Sequence, residues 1–184
     1  MTALLQRARS GDAAAEAELL PLVYADLRRA AEHLLRGERT GHTLQPTDLV
    51  HEGYLKLVGS DLADAQSRRH FVAIAARAMR QVLVDHARRR GADKRGAGRV
   101  EVRVTNADAG IDIDLAELIA LDDALERLGQ RNARLSRVVE LRFFAGLSEE
   151  EIADVLGVTA RTVQRDWATA RAWLYKELSA STQS

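Results

Sequence analysis

The sequence predicts an all-α protein, two small helical bundles joined by a flexible linker, with a helix-turn-helix in the C-terminal bundle. Three observations lead there. Only two prolines, Pro21 and Pro46, interrupt 184 residues rich in Ala, Leu, Arg and Glu, and most of these side chains lose little freedom on entering a helix. Apolar residues recur at three- and four-residue spacing through most of the chain, the period of one helix face. Between two such regions lies the run GADKRGAG, residues 91–98, which is glycine-rich and charged and so reads as a break.

Each element follows from its own pattern. A first helix starts near Thr2 and pauses at Ser10, Gly11 and Asp12. Helical spacing resumes over residues 13–20, and Pro21 then suits the first turn of a further helix reaching about Arg36, where a missing N–H does no harm. Leu22, Val23, Leu27, Ala30, Ala31 and Leu34 make its apolar stripe. Residues 37–45 read as loop, and 46–58 as a helix burying Leu49, Val50, Leu57 and Val58. After a second loop at 59–66, a long helix spans 67–90 with Phe71, Ile74, Ala75, Ala78, Val82 and Leu83 inward. The N-terminal domain is therefore placed at 1–92. Residues 93–114 are expected to form a linker of low order. Within it, residues 99–104 alternate as a strand would, but nothing else in the chain offers that strand a sheet. Helices resume at about 115–128 and 133–144, and the C-terminal domain occupies 115–184.

Composition closes off several functions. Without Cys, disulfides, thiolate metal sites and direct thiol sensing are excluded. Five scattered His and no compact acid, base or nucleophile cluster argue against an enzyme, a metal or a cofactor. His51-Glu52 lacks the second His of a zinc-protease helix, because position 55 is Leu55. No apolar run resembles a signal peptide or a membrane span, so a cytoplasmic protein without membrane contact is expected. The formal net charge is zero, yet it is segregated. Residues 86–103 carry a net +5 and residues 104–126 a net −7, and local fields rather than totals steer a polyanion.

The most specific pattern lies at residues 147–178. Ser148 with Glu151 three residues on is a capping box, followed by an inner stripe of Ile152, Ala153 and Leu156. Gly157 permits a tight turn, Val158 can plug the corner, and Thr159 can cap the next helix. Val163, Trp167, Ala170, Leu174 and Leu178 then recur at helical spacing. Arg161, Gln164 and Arg165 fall on another face in the first turns, where a recognition helix meets base edges of duplex DNA.

With these motifs in place, the chain resembles the bacterial extracytoplasmic-function (ECF) class of sigma factors, promoter-specificity subunits of RNA polymerase. Three blocks carry the likeness: TDLVHEGYLKL at 47–57, FVAIAARAMRQVLVDHARRR at 71–90, and residues 138–178. It departs from the common pattern at Ile74, where many members carry Trp, and at Gln81, where many carry Asn. The resemblance implies core RNA polymerase and promoter DNA as partners, with room for an anti-sigma factor or another regulatory protein. It implies that Asp48, His51 and Glu52, on one face by their spacing, grip a coiled coil of the polymerase clamp. It further implies that Arg77, Arg80, Gln81, Arg88, Arg89 and Arg90 act in minus-ten recognition and strand melting, with a base-reading pocket at residues 60–70. The Arg triplet also suits the negative end of a helix dipole. Arg161, Thr162, Gln164 and Arg165 are then assigned to minus-thirty-five bases and Arg171 to phosphate.

Further expectations follow. Asp166 is expected to pair with Arg residues of its own helix, and Leu141, Phe143 and Phe144 to form core with a polymerase-facing share. The acidic segment 108–123 reads most simply as a solvated tether and the start of a helix; the sharper reading, implied by the resemblance, is that Asp108, Asp112 and Asp114 line a basic channel of the polymerase. Free protein should bind DNA poorly, because a flexible tether does not hold two reading bundles at promoter spacing. The alternative is a stand-alone helix-turn-helix regulator, which would bind an operator by itself and leave residues 47–58 and 67–90 without a purpose.

Overall fold

The computed structural model describes residues 2–35, 45–60, 68–93, 103–106 and 111–181. Helices dominate: α1 (Thr2–Arg9), α2 (Ala13–Leu34), α3 (Pro46–Ser60) and α4 (Arg68–Asp93) precede a short hairpin, β1 (Arg103–Asn106) and β2 (Ile111–Asp114). α5 (Leu115–Arg131), α6 (Ala133–Val139), a π-helical turn (Glu140–Phe144), α7 (Glu149–Leu156) and α8 (Ala160–Ser181) follow. No helix among the described residues is long and apolar enough to cross a membrane.

Local chemistry sets the helix starts. The Asp12 carboxylate accepts from the N–H groups of Ala14 and Ala15 and opens α2. Those two bonds and the Arg7 guanidinium, 2.7 Å away, hold its carboxyl below the usual range. Asn132 accepts likewise from Arg134 and Leu135 and opens α6.

Pro21 does not begin a helix, contrary to the expectation. α2 runs through it from Ala13 to Leu34. Leu19 before it and Val23, Leu27, Ala30, Ala31 and Leu34 after it are all buried at one spacing, so continuous burial outweighs the ~3 kcal/mol that an interior proline opposes to a helix. Leu22, expected in that stripe, is exposed. Pro21→Ala restores a backbone donor and removes the ring clash. It is expected to stabilise the chain by about 1–3 kcal/mol, visible as a higher thermal midpoint.

In α3 Leu49, Val50 and Leu57 are buried as expected, while the Val58 side chain lies outside the described residues. In α4 Phe71, Ala75, Ala78, Val82 and Leu83 are buried, and Ile74 is half-buried against the same core. Residues 61–67, most of the expected minus-ten pocket, lie outside the described residues.

The linker differs from its expectation in two ways. β1 does find a partner, pairing antiparallel with β2 from Arg103↔Asp114 to Asn106↔Ile111. An isolated two-stranded hairpin is marginal in water; here β1 packs against α2 and α5, β2 packs against α5, and Ile113 leans on the core. The bundles are also not independent. α4 packs on α5, on the π-helical turn and on α7, and one contiguous apolar core runs from Leu19 to Leu174.

The helix expected over 133–144 changes pitch at Glu140. The Ala145 N–H donates to the Glu140 carbonyl, five residues back, and such a wider turn shifts the side chains that follow it. Leu141, Phe143 and Phe144 are all fully buried, so all three are core. The two Phe rings meet edge to face at 4.8 Å, a favourable aromatic geometry.

Candidate nucleic-acid interface

The segment after the π-helical turn is a helix, a tight turn and a second helix, built from local chemistry. The Ser148 hydroxyl accepts from the Glu151 N–H while the Glu151 carboxylate accepts from the Ser148 N–H, the reciprocal bonds of a capping box. α7 buries Ile152 and Ala153 and stops at Gly157, whose φ of 67° is left-handed. Thr159 accepts from the Thr162 N–H and starts α8. Val163, Trp167, Ala170 and Leu174 face the core, with Leu178 half-buried and Val158 packed at the corner.

The candidate base-reading residues are outward on α8. Arg161, Gln164, Arg165 and Arg171 are exposed. Thr162 is partly buried, and its hydroxyl lies 2.9 Å from that of Thr159, so it belongs to the helix cap. Asp166 is not paired mainly within its helix. It is 4% exposed and held by Arg134 of α6 at 2.6 Å, with Arg165 farther off at 3.8 Å. Asp166 therefore docks α8 onto α6.

A second set of contacts fixes how α7 and α8 meet. Arg142 stacks over the Trp167 ring at 4.9 Å and donates to Glu149 at 2.8 Å. Glu149 also accepts from the Gln164 side-chain amide at 2.5 Å. An ionised carboxylate only accepts, so this contact settles which end of the Gln164 amide turns towards α7. The Arg142 hydrogen bond, then the Gln164 one, hold the Glu149 carboxyl below its usual value near 4.5. A carboxyl depressed in the folded state stabilises it above the unfolded-state value, and that contribution fades as pH falls through the lower folded-state value. Wild type and Glu149→Gln should therefore differ in urea midpoint near pH 7 and converge as acid protonates Glu149. A midpoint difference that stays constant into acid would count against this clip.

The N-terminal candidates are brought together on α3 and α4. Asp48 and His51 are exposed on α3, and Glu52 is partly exposed. Leu55, one helical turn on from His51 and Glu52 along the same face, is an exposed large apolar residue. Glu52 accepts from Arg89 at 3.1 Å, which links the expected polymerase face to the expected DNA face. On α4, Arg77, Gln81, Arg88 and Arg89 are exposed, and the Arg90 side chain lies outside the described residues.

Arg80 is placed differently. It is 7% exposed, and its guanidinium donates to Asp122 at 2.6 Å and to Glu140 at 2.7 Å. Composition groups Asp122 with an acidic, solvated stretch, yet it is buried. Of the proposed channel-lining acids, Asp108 lies outside the described residues, as do the side chains of Asp112 and Asp114.

Sequence reasoning missed Asp122, Glu140, Arg134, Arg142 and Glu149 as organising residues. Their partners lie on other helices, and no short-range spacing announces them. Leu55 could have been found by adding seven to Asp48, two turns along one face.

Residues 1–180 match the family model described as ECF sigma factor. The chain belongs to the ECF sigma factor family, whose partners are core RNA polymerase and promoter DNA. No curated protein matches the sequence. Among solved structures it is similar to CnrH in its complex with the cytosolic domain of CnrY, at 20% identity and a TM-score of 0.39 over 97% of each chain.

Proposed function

We propose that this sigma factor binds core polymerase and directs promoter recognition, strand opening and transcription initiation through two separate reading surfaces. Residues 115–184 read the minus-thirty-five element. Arg161, Gln164 and Arg165 address base edges, Arg171 addresses phosphate, and Thr162 shapes the helix start. Residues 1–92 bind the polymerase clamp and the minus-ten element, and residues 93–114 connect the two. Asp48, His51 and Glu52, with Leu55 beside them, form the clamp-facing surface. A rigid acidic helix face suits a basic partner helix, with gains chiefly in specificity and association rate. Arg77, Arg80, Gln81, Arg88, Arg89 and Arg90 hold the opened strand, since single-strand capture needs cations along a groove. The protein works in the cytoplasm, where the polymerase is.

One observation carries the reading above all: α8 buries Val163, Trp167, Ala170 and Leu174 along one seam while turning Arg161, Gln164 and Arg165 outward in its first turns. Arg and Gln are suited to bidentate contact with guanine and adenine. Run-off transcription with core polymerase on a promoter library, with and without this protein, is the test. Enrichment of start sites sharing two spaced elements is expected. A library transcribed identically in both arms would end the proposal.

A further inference from the structure

We infer that the free chain holds itself closed: an acidic socket on the C-terminal bundle captures Arg80 of the melting helix, and strand capture at the minus-ten element requires that socket to release it. The inference rests on α4 being the strand-holding helix, as proposed above.

The socket holds Arg80 by three hydrogen bonds to two elements, α5 and the π-helical turn. Arg80 Nε donates to one Asp122 carboxylate oxygen, Nη2 to the Asp122 backbone carbonyl at 3.1 Å, and Nη1 to Glu140. The second Glu140 oxygen accepts from Arg137 at 3.3 Å, and the second Asp122 oxygen from Arg88 at 3.4 Å. Arg80 and its acids are 42 and 60 residues apart and come from opposite bundles. All three are more than nine-tenths buried. A guanidinium so enclosed cannot also reach phosphate, so closure and strand capture exclude each other at this residue.

The surroundings extend the exclusion along the helix. Arg77, Gln81 and Arg88 line the same cleft, of about 680 Å³, whose opposite wall is Asp122, Glu126 and Gln130 of α5. That wall puts carboxylates where an opened strand would put phosphates. Of the α4 residues proposed to hold DNA, the C-terminal bundle thus buries Arg80 and faces the exposed Arg77, Gln81 and Arg88 across this cleft.

A second contact closes the interface at its other side. Gly146, just past the π-helical turn, has φ +67°, and a Cβ built there would lie 2.6 Å from the His33 ring of α2. His33 is buried. The close approach therefore leaves no room for a side chain at position 146 while the His33 ring is present and the bundles stay docked.

The ionic part of the lock is suited to release. Buried ion pairs contribute little net stability, because desolvation offsets their attraction, whereas removing one partner strands a buried charge. When the bundles part, Arg80, Asp122 and Glu140 all regain water together, so no charge is left stranded. A partner that binds only the open chain then shifts the population by mass action. Free protein is expected to bind DNA poorly for this reason, and not because a slack tether leaves two bundles unaligned. Apparent affinity scales with the open fraction.

Two variants of the full chain test this. Wild type has no Cys, so His33→Cys/Gly146→Cys supplies a single thiol pair. The built Cβ contact with the His33 ring leaves the two Cβ atoms roughly 4 Å apart or less, within disulfide reach. Mild oxidation of the free monomer is expected to form an intramolecular disulfide. The oxidised chain should then lose at least tenfold in binding a randomised single-stranded 20-mer, and in run-off with core polymerase, with recovery on reduction. Failure of the disulfide to form in a folded monomer, or oxidised chain as active as reduced, overturns the inference.

Should the pair perturb folding, Asp122→Asn/Glu140→Gln decides the matter without touching a proposed DNA contact. The free double variant is expected to bind the randomised 20-mer at least tenfold tighter than wild type and to show a larger radius of gyration by X-ray scattering. No gain in either overturns the lock. Loss of run-off by reduced and wild-type chains alike, with the disulfide still forming, would instead strike the promoter-reading proposal.

Discussion

Alanine at both Arg161 and Arg165 should cut transcription from the cognate promoter by roughly a hundredfold or more. Each well-placed bidentate contact discriminates its base by about 1–3 kcal/mol, and the two residues stand in adjacent turns of α8. Both side chains are exposed, and the ion pair of Arg165 with Asp166, at 3.8 Å, is loose with its arginine in solvent, so stability should change by no more than about 0.5 kcal/mol. Activity should therefore fall without a change in thermal midpoint. The double variant should also relax base preference at the contacted positions. Arg171→Ala, one turn beyond Trp167, provides the contrast. Removing the cation proposed to bind phosphate there should weaken binding across all sequences and lower its salt dependence, leaving preference intact. Equal losses on cognate and scrambled minus-thirty-five elements for Arg161→Ala/Arg165→Ala would refute base reading by this helix.

Phe143→Ala should destabilise the chain by about 3–5 kcal/mol, the range for emptying a fully buried aromatic site. For a chain of this length that corresponds to a fall of roughly 6–20 °C in thermal midpoint. Phe143 is 0% exposed and packs edge to face on Phe144, which is equally buried. The same π-helical turn presents Glu140 to Arg80 and, through Arg142, steadies Glu149 and Trp167. A cavity here therefore loosens the docked interface and the α7–α8 corner together. Tyr175→Ala, at a side chain 76% exposed, is the matched control and should shift the midpoint little. Comparable shifts for the two variants would contradict the account of the core.

The legible parts of this protein share a property: cause and effect lie within about one helical turn. Ser148 and Glu151 satisfy each other three residues apart, Gly157 needs only its own backbone freedom, and Thr159 caps Thr162. The α8 seam from Val163 to Leu174 is a single period repeated, and the same holds for the apolar sides of α3 and α4. Pro21 shows where local reasoning fails. Its ring argues for a helix start, but the buried residues on both sides of it belong to one continuous stripe. Burial summed over a helix exceeds one local penalty, and only packing reveals that sum. The hairpin is a similar case. Residues 103–106 pair in antiparallel register with residues 111–114 close by in the chain, but α2 and α5 are what shelter the pair.

By itself, then, the sequence determined the helical class, the helix-turn-helix with its outward Arg and Gln, and the acidic face of α3. Each is set by side-chain type and short-range period. Tertiary structure alone decided which charges are available. Arg80, one cation among several on α4, became a buried ion in an acidic socket, and Asp122 left a solvated stretch to form that socket. Gln164 is clipped by a carboxylate of α7, and Asp166 is held by an arginine of α6. These pairings join residues 15 to 60 positions apart. A charge has no period, and its surroundings are fixed only when distant helices meet and exclude water between them.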